Sequence, residues 1–174
     1  MNQIQFDDGR LWWGLNLVGS NLLWLYLVLG YPWWWALPVV VGQWWFSPWR
    51  KADLRRLLWL APTGYAIDAL WQWLSILQFE PQGLLPPPWL ALLWVSFALG
   101  LPHALFFLRR SSWLTLASVG LLVPSTYLAG VALGAASLPL GPLVAYPAMA
   151  AGWLVLLPVA FKLEQRWSKR PHQT

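Results

Sequence analysis

Residues 57–77 read LLWLAPTGYAIDALWQWLSIL, and near their middle stands Asp68, the one acidic residue inside any apolar run of the chain. No Lys or Arg shares an apolar run with it. A lone carboxyl at bilayer depth is costly and by default marks a functional site. The fold must satisfy that group or use it.

Composition supplies the setting. Of 174 residues, 59% are hydrophobic, 10% are charged and 17 are Trp. Soluble domains are about 45–50% apolar and disordered chains far less, so the sequence reads as a membrane protein. The net charge of +5 raises the question of nucleic acid, and the placement of the 11 basic residues answers it. Arg10, the 50–56 group (Arg50, Lys51, Arg55, Arg56), Arg109-Arg110, and Lys162, Arg166, Lys169 and Arg170 all lie between apolar runs or at a terminus. Such flanking charges set topology and favour anionic lipid headgroups. They make no basic face for nucleic acid. With no cysteine, disulfides, thiolate metal sites and Cys nucleophiles are excluded.

Working outward, the apolar runs predict six helices in one transmembrane domain, at about 11–29, 33–49, 57–77, 89–108, 113–134 and 143–161. The first lacks a signal-cleavage motif and reads as a retained span. Gly30-Tyr31-Pro32 is a turn. The second segment is short against the ~20 residues a span needs, with an interfacial helix as the alternative. QFEPQGLLPPPW, 78–89, is a stiff connector, and the tail from Lys162 is basic and amphipathic. Six spans put all 11 Lys and Arg on one side with both termini, and the positive-inside rule makes that side cytoplasmic. Trp12, Trp13, Trp33–Trp35, Trp44, Trp45, Trp89, Trp113 and Trp167 near run ends form interfacial belts. The expected fold is all-α: a bundle of six transmembrane helices, both termini cytoplasmic.

Helical spacing sorts the polar residues. Gly64, Tyr65, Asp68, Gln72 and Ser75 share one stripe, as do Ser96, Gly100 and His103, while Asn16 and Ser20 are an i, i+4 pair. Thr115, Ser118, Ser125 and Ala129 supply a fourth stripe. At ~1.5 Å per residue, Asp68 lies ~16 Å from the cytoplasmic edge and His103 ~9 Å, with Asn21 near the level of Asp68 and Asn16 near that of His103. The candidate proton or ligand site is therefore Asp68, His103, Gln72, Tyr65, Asn16, Asn21 and Ser125. Two readings of Asp68 stand. Burial without a cation disfavours the charged form, so a neutral acid could bond Gln72, Tyr65 or a helix-one Asn as interhelical glue. Alternatively it handles a proton or ligand, with His103 as relay.

Other chemistries lack their residues. One His and one Asp at unequal depth make no zinc site, no serine has triad partners, and no phosphate-cradling motif occurs. No metal or cofactor is expected.

From helix three onward, over about two-thirds of its length, the chain resembles a domain-of-unknown-function family of small multi-pass bacterial inner-membrane proteins. The resemblance rests on IDAL around Asp68, LPPPWLALLW before helix four, PHAL around His103 and STYLAGVALGAASLPLG at 125–141. It implies a multi-pass protein of the bacterial inner membrane and carries no established activity. Pro102 stands where relatives often have Asn, which removes a polar partner of His103, and Val123 where they tend to have Gly. Family genes near fatty-acid-modifying methyltransferase-like genes hint at membrane-lipid metabolism.

The resulting expectation is a non-catalytic accessory or scaffold protein, with a membrane-protein partner and no nucleic acid. A small proton-coupled transporter using Asp68 is one alternative. It requires a water-accessible cavity between helices one, three, four and five. A lipid-modifying membrane enzyme is the other.

Overall fold

Three helices stop in the same manner, and those stops orient the bundle. They are α1 (Ile4–Val28), α3 (Arg50–Trp73) and α5 (Ser112–Ala132). Beyond each, an amide reaches back five residues: Tyr31 to the Tyr26 carbonyl, Ile76 to Trp71 and Ala135 to Gly130. The residue before that amide takes positive φ, at Gly30, Ser75 and Gly134. Glycine adopts this conformation at little cost and ends helices for that reason. Two stops were therefore readable as glycines, whereas Ser75 was not.

The computed structural model describes residues 4–47, 50–108 and 112–168, and side chains at 14–47, 50–101, 122–163 and Arg166. α4 (Pro88–Leu108) and α6 (Pro142–Ser168) both begin on proline, whose missing N–H and fixed φ suit a first turn. Between the helices lies a two-stranded antiparallel sheet, β1 (Gln78–Phe79) on β2 (Ala136–Ser137), pairing Gln78 with Ser137 and Phe79 with Ala136. It gathers the ends of α3 and α5 with the starts of α4 and α6. The described lysines and arginines lie on the early turns of α1 (Arg10), the first turns of α3 and the last of α6, away from this sheet.

The second segment differs from expectation. A 3-10 turn, Trp33–Ala36, runs into a nine-residue α2, Leu37–Trp45. Together they reach only about 21 Å, and a hydrocarbon core is ~30 Å thick. Pro38 sits in the first turn of α2, which makes it a helix start rather than a helix interior. The linker read at 50–56 is helical and belongs to α3. There Asp53 is buried and accepts from Ser47 and from Arg56.

The architecture is all-α, six α-helices with α3 packed along α4, α5 along α6 and α1 along α4. α1 shows the pattern by which the helices sort their faces. Asn16, Leu23 and Leu27 are buried, Leu15, Val18, Leu22, Leu25 and Leu29 form an exposed apolar stripe, and Leu17, Asn21, Trp24 and Val28 line a cavity. Among the described residues, Pro142–Leu163 is the stretch both long and apolar enough to cross a membrane, and Gly14–Val28, Pro88–Leu101 and Leu122–Ala132 are apolar but shorter.

A tied carboxyl beside an apolar cavity

Asp68 is completely buried in the last third of α3. Trp94 of α4 donates its indole N–H to Oδ2 at 2.6 Å, and Tyr127 of α5 donates its hydroxyl to Oδ1 at 2.9 Å. The carboxyl thus ties three helices. Register explains how they meet. Asp68 and Trp94 lie 13 residues on either side of Pro81, within one antiparallel hairpin. Asp68 and Tyr127 each lie ten residues before the paired Gln78 and Ser137, on helices running the same way.

Aromatic packing encloses the tie. Trp94 stacks on Trp153 of α6 at 5.3 Å, Phe97 meets both rings edge-on, and Trp71 packs edge-on against Tyr127. Two glycines admit these rings. A Cβ on Gly64 would lie 2.2 Å from the Trp94 ring, and one on Gly152 2.6 Å from Trp71. Neither helix could approach its neighbour so closely with any other residue there.

On the far side of Trp94 and Tyr127 lies a cavity of about 550 Å³, within the usual range for a single small ligand. α1 forms one wall with Leu17, Trp24 and Val28, α4 the back with Leu93, Phe97 and Gly100, and α5 the facing wall with Val123 and Ala129. The lining is overwhelmingly apolar. Apart from Asn21, Asp68, Ser125, Thr126 and Tyr127, its polar residues belong to a cluster centred on Ser20, which donates to Asn16 Oδ1 at 3.3 Å and accepts from Gln43 and Ser96 at 3.1 and 3.2 Å.

The candidate residues therefore part company. Tyr65 and Gln72, read as one stripe with Asp68, turn to the connector instead, donating to the carbonyls of Pro86 and Gly83. Tyr65 lies about 60° round the helix from Asp68, and Gln72 is one turn nearer the connector. Asn16 is buried at the cavity wall, Asn21 is exposed and bonds the Leu17 carbonyl, and Ser125 bonds the Leu122 carbonyl. None of these shares a hydrogen bond with Asp68. Residue 103 is part of α4, with its side chain outside the described residues. Trp71 is buried as packing, and Trp73 is exposed, donating to the Leu84 carbonyl.

Trp94 and Tyr127 were not anticipated as partners. The equal counts about Pro81 point to Trp94. The count to Tyr127 needed the β1–β2 pairing, which two-residue strands do not announce. Among the described residues no group of His, Asp or Glu could hold a metal ion.

A family described as protein of unknown function (DUF2878) matches residues 13–159. The chain belongs to that family. The match takes in Asp68, Trp94 and Tyr127 and all three cavity walls of this DUF2878 protein. No curated protein and no solved structure matches the chain.

Proposed function

We propose that this DUF2878 protein is a non-catalytic accessory protein of the bacterial inner membrane, crossing it six times with both termini cytoplasmic, and that its cavity holds a ligand. The observation that carries the non-catalytic reading is the environment of Asp68. Both oxygens are engaged by neighbouring helices, and the residue has no accessible surface. A group that works on a substrate has to reach it. Asp68 holds two wall residues in place instead.

Membrane residence draws on several features. α1, α3, α4, α5 and α6 have 21 to 27 residues each, or about 31–40 Å, against a core of ~30 Å. Exposed apolar stripes such as Leu54, Leu58 and Leu70 on α3 or Leu154, Val155 and Val159 on α6 exceed what a water-facing surface carries. The short α2 makes the return to the basic end together with the turn through Ser47. The transporter alternative has its cavity, and Asp68 borders it, but both carboxyl oxygens are bonded to neighbouring helices and the residue has no accessible surface.

The absence of cysteine makes the topology directly testable. Lys51→Cys should react with a membrane-impermeant maleimide only from the cytoplasmic side, and Gln82→Cys only from the other. Labelling of both from one side would overturn the six-span reading. Loss of the Asp68 tie should lower the amount of protein in the membrane. An Asp68→Asn variant with full abundance and lost cellular activity would refute the accessory reading.

A further inference from the structure

One detail of the cavity points to its occupant. Asn16 is 4% exposed and lies in the cavity wall. Its Oδ1 accepts from Ser20, while its amide nitrogen makes no hydrogen bond among the described residues. An amide N–H that borders a cavity without a protein acceptor is open to a ligand's oxygen. Gly100 keeps the space beside this amide open, since a Cβ there would stand 3.3 Å from Asn16 Oδ1 and 3.7 Å from Ser20 Oγ.

Shape adds to this. From the level of Asn16 to that of Val28 the cavity extends ~18 Å along α1, an elongated apolar slot whose shape suits a hydrocarbon chain. α1 and α5 face each other across it with α4 behind, so its open side lies between α1 and α5. Charge narrows the choice further. The described lining residues include no Lys or Arg, and the one carboxylate is sealed behind Trp94 and Tyr127. Among the described residues, an anionic head at the level of Asn16 would meet no counter-charge, and burying it unpaired is costly.

We propose that the cavity takes one long hydrocarbon chain bearing an uncharged oxygen, a hydroxyl or an ester carbonyl, that accepts from the free amide of Asn16. The inference rests on the reading of the cavity as a ligand site. The chain comes either from a free neutral lipid such as a fatty alcohol or from a bilayer phospholipid that slips one acyl chain between α1 and α5.

The test uses full-length protein in nanodiscs and photoreactive diazirine chains of one length, supplied as a fatty alcohol, an alkyl sulfate, a plain alkane and an acyl chain of phosphatidylglycerol. Labelled residues are mapped by mass spectrometry. The fatty alcohol or the phosphatidylglycerol should label Leu93, Phe97 or Val123 about tenfold more than the sulfate or the alkane, the weight of one neutral hydrogen bond. Whichever of the two labels identifies the source. Asn16→Leu should erase that preference. If that variant does not fold, Gly100→Ala, which narrows the space at the amide, should weaken it. Equal labelling of the lining by all four probes would overturn the neutral-oxygen proposal and leave the ligand-site reading standing. Labelling confined to outward residues such as Leu15, Leu22 and Leu58 would overturn both.

Discussion

Asp68 and Asn16, on two sides of this bundle, are held in opposite ways. On the α3–α4–α6 side, glycines let Trp rings close onto helix backbones, and Asp68 is sealed with both oxygens satisfied. On the α1–α4–α5 side a cavity opens between the helices, and the amide nitrogen of Asn16 at its wall makes no hydrogen bond among the described residues. Buried polar groups in proteins are almost always bonded. A fully bonded acid among packed rings and an open amide at a cavity wall therefore fit a structural role for the first and, on the reading proposed above, a ligand-facing one for the second.

The sharpest way to break this contrast is a matched pair of glycine substitutions. Gly64→Ala places a methyl inside the Trp94 ring and must displace it, which also breaks the bond to Asp68. We expect a loss of about 3 kcal/mol or more, at the upper end of overpacking costs, read as thermal unfolding in detergent. Gly130→Ala on the cavity side meets nothing within 4 Å. It should be neutral or stabilise by up to about 1 kcal/mol, since alanine is the better helix former. Equal losses at both sites would mean that the halves are packed alike.

A second pair weighs the tie itself. Asp68→Leu leaves the donors of Trp94 and Tyr127 without an acceptor and should cost about 2 kcal/mol, near the top of measured interhelical bonds in membranes. Asp68→Asn keeps a carbonyl for Trp94 and offers an N–H to the Tyr127 oxygen, so it should cost less than about 1 kcal/mol. Equal unfolding temperatures for the two variants would show that the hydrogen bonds contribute little.

The smallest effect concerns a helix stop. Ser75 holds φ 56° where α1 and α5 have glycine. Ser75→Gly should stabilise by about 1 kcal/mol, the left-handed penalty for an L side chain. No gain would mean that the serine side chain offsets that penalty locally.

How far the sequence could be read follows the same division. Apolar runs of helical length located five helices, because burial and exposure alternate along them in stripes. The second segment misled because a run rich in Trp is apolar whatever its local geometry, and Pro38 fits a first turn as well as a kink. Asp68 stood out from composition alone. Its partners did not, because stripes on a helix give azimuth but not which neighbour lies opposite. Tyr65 shows the limit: it shares a stripe with Asp68 and still turns to Pro86. Asn16 was singled out for its polarity, but its open donor depends on where Ser20 and Gly100 come to rest.

The short distance along the chain between Asp68 and Trp94 bears on the order of assembly. The two are 26 residues apart, and Tyr127 is 59 from Asp68. Chains fold amino-terminal parts first as they are made. The α3–α4 hairpin can therefore shelter its costly acid with one bond while the ribosome is still at work on α5. Tyr127 then arrives to complete the tie, so that docking of the last two helices is checked by a group already in place.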